Sequence, residues 1–458
     1  MNAKVHPLTR PLILEASSRF VPKPFKVYTQ RDLDQIAPLA KLPAEQRFEM
    51  KVVSSVLPFR VNQYVIDELI DWSRVPDDPI FQLTFPQRGM LAPEHYERVA
   101  ALLADGADKT AVEAAVAAVR HELNPHPADQ MEMNMPRDEH GNRLEGMQHK
   151  YRETVLFFPS QGQTCHSYCS FCFRWAQFVG DKELKIASSE AGTLHAYLRA
   201  HPEVTDVLFT GGDPMVMKTR HLREYLEPLL APEFEHVRTI RIGTKALSFW
   251  PFRFLGAEDA EELMMLLERL VAGGKHVALM AHYNHWKELE TGPAQAAVKR
   301  VRATGAVIRG QGPLIAHIND DPAVWARLWQ TQVRLGIVPY YMFVERDTGA
   351  RNYFEVPLVR AWEIYRDAMQ RVSGLGRTAR GPSMSASPGK VEIQGVTEVA
   401  GEKVFVLRFI QGRNPDWVQR PFFAKYDEQA TWLNHLKPAF GDEKWFWEDE
   451  YAAMRDDS

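Results

Sequence analysis

Cysteine is scarce in this chain, with three residues in 458, all between positions 165 and 172. An odd trio cannot close into disulfides without a leftover thiol, and structural zinc normally draws on two spaced ligand pairs. No second pair exists, so no zinc is expected. Long apolar runs are missing too. Stretches such as 155–158 and 263–267 are far too short to cross a bilayer. Residues 1–22 mix polar, charged and proline residues and lack the apolar core of a secretion signal. Net charge is only −4, which excludes a general attraction to nucleic acid or to an anionic membrane. No repeat or low-complexity tract interrupts the chain. It reads as soluble and cytoplasmic, in a compartment that keeps thiols reduced.

What is present is an ordinary globular balance, 45% apolar and 25% charged, at a length that suggests two or three units. Residues 1–150 read as mainly helical, with helical pieces at 31–42 and 92–123 and a polar loop at 136–142. From 151 the texture changes. Short apolar strand candidates fall at 155–158, 207–210, 239–244, 276–282, 306–314 and 338–344. Helical patterns separate them at 189–200, 220–230, 259–272, 293–304 and 322–335. Such alternation predicts an α/β fold with a parallel sheet. Six units fit a partial or closed barrel, and a doubly wound sheet is the competitor. The core is expected over 151–345. In the C-terminal part, 346–458, aromatics gather: Trp417, Phe422, Phe423, Trp432, Trp445 and Trp447. They read as a packed cap or an oligomer contact, with a substrate lid as the sharper alternative.

The cysteines stand in Cys165-His166-Ser167-Tyr168-Cys169-Ser170-Phe171-Cys172, directly after the first strand candidate. In α/β barrels the chemistry collects on loops at the carboxyl ends of strands. Three thiolates this close can hold three irons of a four-iron cluster and leave the fourth open. An open iron binds a small molecule, so the motif points to catalysis more than to electron storage. Thr210-Gly211-Gly212-Asp213-Pro214 follows the second strand candidate. Read alone it is a β-turn, but glycines without a Cβ also let backbone amides approach a ligand closely. Arg241-Ile242-Gly243-Thr244 ends the third strand, and His282 and Asn284 end or follow the fourth.

The C-x3-C-x2-C spacing resembles the signature of radical S-adenosylmethionine (SAM) enzymes, and Gly211-Gly212-Asp213 resembles their SAM-contacting element. The likeness narrows further. Leu57-Pro58-Phe59-Arg60-Val61-Asn62, His149-Lys150-Tyr151, Cys172-Phe173-Arg174, Phe178-Val179-Gly180, Asn319-Asp320, Val338-Pro339-Tyr340-Tyr341 and Pro388-Gly389-Lys390 are, in order, similar to the lysine 2,3-aminomutase family. That resemblance implies a partial (β/α)6 barrel and a [4Fe-4S] cluster on Cys165, Cys169 and Cys172. It implies SAM as the source of a 5′-deoxyadenosyl radical, and pyridoxal 5′-phosphate (PLP) as carrier of an amino acid whose nitrogen migrates from C2 to C3. It makes Lys390 the Schiff-base lysine, places Lys150 and Tyr151 near the PLP phosphate, and makes Arg174 the anchor for the substrate carboxylate. The implied partners are an amino acid, a reductant such as flavodoxin or ferredoxin, and further copies of the chain.

Departures accompany the match. The family's glycine-rich run before its PLP lysine is shortened here to Pro388-Gly389. A family arginine for the PLP phosphate is replaced by Thr154, with Arg152 nearby. Lysine-specific members hold the distant ammonium with two aspartates. Asp320 matches one, and Ala386 falls at about the position of the other. L-lysine is therefore not the expected substrate. No basic residue marks these positions for an acidic one, which leaves Ser385 or Ser387 to bind a polar group. The alternatives are a radical SAM enzyme that acts on an amino-acid-like substrate without PLP, and a non-catalytic iron–sulfur protein.

Overall fold

The structure is a computed structural model that describes residues 20, 23–128, 130–180 and 186–456. Apart from Phe20, the N-terminal stretch read above for a secretion signal lies outside the described residues.

All six strand candidates form strands, within a residue or two: β4 (Thr154–Phe157), β5 (Asp206–Phe209), β6 (Thr239–Thr244), β7 (His276–His282), β8 (Val307–Leu314) and β9 (Val338–Val344). Each pairs in parallel with the next. Helices sit where the periodicity placed them, among them Ala191–Ala200, Ala260–Ala272, Gly292–Ala303 and Pro322–Leu335. The last ends at Gly336, whose φ of +75° is a left-handed cap that costs glycine little. The strand order is strictly sequential. A doubly wound sheet would reverse direction at a switch point. Sequential order with right-handed crossovers instead puts every helix on one face, as a barrel requires.

The sheet does not close. Ahead of β4 stands β3 (Met147–Tyr151), antiparallel to it, and beyond β9 come β10 (Arg380–Ser385), β11 (Gly389–Val399), β12 (Glu402–Gly412) and β13 (Pro421–Lys425). Strand β10 continues the parallel run; β11, β12 and β13 are antiparallel, and β3 and β13 are the edges of the eleven-stranded sheet. The C-terminal part is thus an extension of the barrel sheet. Its aromatics pack on this extension: Trp417, Phe422, Trp432 and Trp447 are buried with Phe405 and Phe409.

Two details of the N-terminal region differ from the sequence reading. The helical pattern at 92–123 is two helices, Pro93–Ala104 and Lys109–Glu122. The break holds Gly106 at φ +64°, and the Asp108 carboxylate caps the second helix. The stretch 31–42 folds as two short 3-10 turns, Gln30–Gln35 and Ala37–Lys41, with Pro38 just inside the second. This region also carries a small hairpin of its own, β1 (Val27–Thr29) with β2 (Arg60–Asn62).

Alternation along the strands creates the site. In β6, Ile240, Ile242 and Thr244 are buried, while Thr239, Arg241 and Gly243 share the opposite, less buried face. Ile240 and Ile242 of the first set join the helices in the main core, where each fully buried Leu, Ile or Phe contributes roughly 1.5–3 kcal/mol. The second set turns into the barrel, and Arg241 and Gly243 both line cavities there.

Candidate active site

Two cavities adjoin inside the barrel. The larger, about 250 Å3, is lined by Cys165, Cys169 and Cys172 together with Gly211, Gly212 and Asp213. The smaller, about 190 Å3, is lined by Lys150, Tyr151, Thr154, Arg241, Lys390 and Gln411. Phe173, Arg174, Leu208, Arg346 and Ser385 line both. Apart from Asp320, the sequence-predicted residues therefore fall into two neighbouring groups, with Arg174 between them.

The cysteine loop is held from below by the N-terminal region. Asn62 donates through Nδ2 to the backbone oxygens of His166 and Phe249, and its own amide donates to Ser167 Oγ at 3.0 Å. Tyr168 N donates to Arg60 O, and Ser170 N to Leu83 O. His166 is fully enclosed and its pKa falls to about 3 through burial, so it stays neutral within the loop. Burial pushes all three thiols up, Cys172 to about 11 and the others further. Among the described residues no three ligating side chains are gathered as a ready metal site. The donor set nevertheless fits a cluster: the thiols line one cavity, Cys165 feels the charge of Cys169 and Cys172, and Cys169 feels that of Cys172. An iron would draw off the protons that burial holds on them.

The Gly-Gly-Asp turn proves to be tied to the same loop. Asp213 N donates to Thr164 O at 2.7 Å and to Gly162 O at 3.0 Å. A Cβ on Gly212 would lie 2.4 Å from Thr164 O, so this close approach requires glycine. Asp213 was expected among the cofactor-binding residues. Its carboxylate is occupied by the chain itself, accepting from Met215 N, Thr244 Oγ1 and Lys245 N at 2.8–2.9 Å. It fixes the ends of two strands relative to each other. Lys245, next in line, donates to Glu288 Oε1 at 2.5 Å and to Asn284 Oδ1 at 3.0 Å. His282 lines the cysteine cavity as a neutral ring, its pKa driven well down by burial.

In the second cavity Lys390 is the second residue of β11, with Gln411 opposite it on β12 and Ser385 opposite it on β10. Its amine donates to Gln411 Oε1 at 3.2 Å and sits 4.3 Å from the Tyr341 ring centroid. Among the described residues no carboxylate pairs with it. Burial, then the charges of Arg241, Arg380 and Arg346, lower its pKa to about 7. The shortened Pro388-Gly389 turn does bring this amine into the cavity. Lys150 donates to Ala386 O, and Arg241 is paired with Asp206 at 2.8 Å. A PLP phosphate would find its charge partners in this group, with Thr154 at the wall.

Asp320 is not part of the assembly. It is exposed and lines neither cavity. The reason is its neighbour: Asn319 is buried and spans Asn284 O, Pro313 O and Ile315 N, which leaves Asp320 facing solvent. The residue that sequence reasoning missed is Arg346. Between Glu345 and Asp347 it looks like part of a charged loop, but it follows the end of β9 and turns into both cavities.

These features, a cysteine trio at the carboxyl end of the first strand of an open parallel barrel beside a Gly-Gly turn, define a radical SAM enzyme. No family model matches the chain. A protein of Aquifex aeolicus (strain VF5) named “Putative L-lysine 2,3-aminomutase” is 31% identical over 397 residues, covering 86% of this chain and 92% of its own. The L-lysine 2,3-aminomutase of Escherichia coli (strain K12) is 28% identical over 243 residues, 52% of this chain and 66% of its own. Among solved structures, a radical SAM methyltransferase from Sphaerobacter thermophilus aligns with 64% of this chain and 94% of its own at 15% identity and a TM-score of 0.34. The chain belongs to the lysine 2,3-aminomutase family of radical SAM enzymes, on the strength of the sequence relatives. Among the described residues no helix is long and apolar enough to cross a membrane.

Proposed function

We propose that this protein is a PLP-dependent amino-acid 2,3-aminomutase, moving an amino group from C2 to C3 to give a β-amino acid. The observation that carries the reading is the adjacency of the two cavities: the cysteines line one, Lys390 lines the other, and Arg174 stands at their shared wall. When bound, a [4Fe-4S] cluster with SAM supplies a carbon radical by one-electron cleavage, and PLP supplies a π system through which nitrogen migrates.

The chain's own residues do the rest. Cys165, Cys169 and Cys172 hold the metal. Gly211 and Gly212 keep the turn beside it narrow enough for backbone contact. Lys390 offers an amine that is substantially neutral near pH 7, the form able to attack a carbonyl. Lys150, Tyr151 and Arg241 line the end of the cavity that suits the phosphate. Arg174 places the substrate carboxylate between the two cofactors, its guanidinium carbon 4.4 Å from the Phe158 ring centroid and 5.0 Å from that of Phe173. The two rings restrict its swing and exclude water. We place the enzyme in the cytoplasm, as a homo-oligomer fed by a flavodoxin- or ferredoxin-class reductant.

The test is direct. Borohydride reduction of the PLP-treated protein followed by peptide mass mapping is expected to give a pyridoxyl adduct on Lys390. Reduced protein given SAM, PLP and mixed amino acids is expected to release 5′-deoxyadenosine together with a β-amino acid. 5′-Deoxyadenosine formation without any adduct would favour instead a radical SAM enzyme that works without PLP.

A further inference from the structure

The wall shared by the two cavities carries two guanidiniums, Arg174 and Arg346. Neither has a carboxylate within ion-pair distance among the described residues. The Arg174 guanidinium lies over the rings of Phe158 and Phe173. Arg346 donates through Nη2 to Ser385 O at 3.1 Å and lies 5.0 Å from the Phe173 centroid. Its Nε is buried without any partner. The nearest acids offset its burial only in part, Asp347 more than Glu345: neither forms an ion pair with it, and Asp347 lines a separate cavity with Leu123 and Asn124.

Two like charges side by side in a desolvated wall are costly unless anions meet them. The far end of the smaller cavity has its own cations for a phosphate, Lys150 and Arg241, and they do not reach the cysteine cavity. An ordinary amino acid brings one carboxylate to the wall, and Arg174 takes it. Arg346 is left over.

We propose that the substrate is an amino acid with a second carboxylate in its side chain, and that Arg346 is the residue that selects it. The proposal rests on the aminomutase reading above, because that reading puts an amino acid between the cavities. Charge complementarity points the same way from the opposite side. The smaller cavity is lined by Lys150, Arg174, Arg241, Arg346 and Lys390 and by no aspartate or glutamate. The side-chain ammonium of lysine would meet cations there, and a neutral side chain would leave the Arg346 fork unpaired.

Calorimetric titration of the PLP-loaded protein with L-glutamate, L-aspartate, L-glutamine and L-lysine tests this without turnover. One of the two acids is expected to bind about tenfold or more tightly than L-glutamine and L-lysine, as a charge-assisted guanidinium fork implies. R346Q should bring the acid down to the affinity of the amide, and R346K should keep part of the preference. Pyridoxyl labelling of Lys390 and SAM binding should be unchanged in both. Acids that bind no better than L-glutamine to the unsubstituted protein overturn the proposal, and this arm needs no variant to fold. Loss of PLP or SAM with R346Q also overturns it, by assigning Arg346 to the phosphate or to the SAM carboxylate. Absence of any Lys390 adduct while acid–amide discrimination survives breaks the aminomutase reading and leaves the selectivity standing.

Discussion

The two cavities share a wall and differ in how the chain builds them. One short segment supplies the chemistry of the cysteine cavity: Cys165 to Arg174 bring its thiols, the turn after β5 brings Gly211 and Gly212, and the ends of β6 to β10 only complete its wall. The Lys390 cavity draws on positions from Ala128 to Gln411, contributed by β3, β4, β6, β10, β11 and β12 among others. Chemistry packed into one loop survives as a motif. Chemistry collected from many strand faces depends on register, because a slip of one residue in β11 would turn Lys390 to the other side of the sheet. The first cavity has acids in its lining, Asp213 and Glu345, and the second is a pocket of cations with no aspartate or glutamate.

The comparison breaks most sharply if the loop is not the radical source. Cys172→Ser is expected to reduce SAM cleavage to background, since an open-iron cluster needs all three thiolates. Cleavage that survives in this variant would remove the metal from the loop. Next in size, Lys390→Ala should abolish the pyridoxyl adduct and β-amino acid formation. SAM cleavage without amino-acid turnover should stay within about tenfold, because the amine touches only the second cavity. The same lysine gives the second cavity a pH signature. Its amine has a pKa of about 7 against an ordinary 10.5, so the neutral fraction, and with it the rate of PLP capture by the apoprotein, should rise from pH 6 to 8. The sign for stability agrees. The folded pKa is depressed, so the unfolded chain binds the proton more tightly. This group's cost is full below about 7 and fades as pH rises toward 10.5.

Smaller effects sharpen the contrast. Gly212→Ala forces a Cβ against the Thr164 backbone and should cost about 1–3 kcal/mol in thermal unfolding while weakening SAM binding. It should leave PLP labelling of Lys390 intact. Asp320→Ala is expected to change kcat/KM by less than about twofold, since exposed charges contribute little. A large loss with Asp320→Ala would return that carboxylate to the substrate.

The six parallel strands and their helices were legible because each strand is a short apolar run, and several of the helices between them end at a glycine, as at Gly274, Gly305 and Gly336. Cys165, Cys169, Cys172, Gly211 and Gly212 were legible because each motif is compact enough in the chain for its spacing to mark it. Strands β10 to β13 were not read ahead of the structure, since the aromatics of that stretch drew the eye to a cap. The alternation in Glu402–Gly412 did mark a half-buried strand. Arg346 was hidden for another reason. Nothing in Glu345-Arg346-Asp347 separates a solvated run from a buried fork until β9 sets which way each residue points. Asp320 failed the opposite test: the residue type fitted, and the hydrogen bonds of Asn319 fixed its direction outward.

The stitching of the cysteine loop to Asn62, Arg60 and Leu83 also sets an order of events for a newly made chain. The loop lies about a hundred residues downstream of its anchors and has no shape of its own that would gather three thiols. Iron delivered before residues 60–83 have folded would meet three thiols with no frame around them. The layer built from residues 60–83 therefore serves as the mould in which the metal centre is cast, and maturation of the enzyme waits on a part of the chain made before the loop.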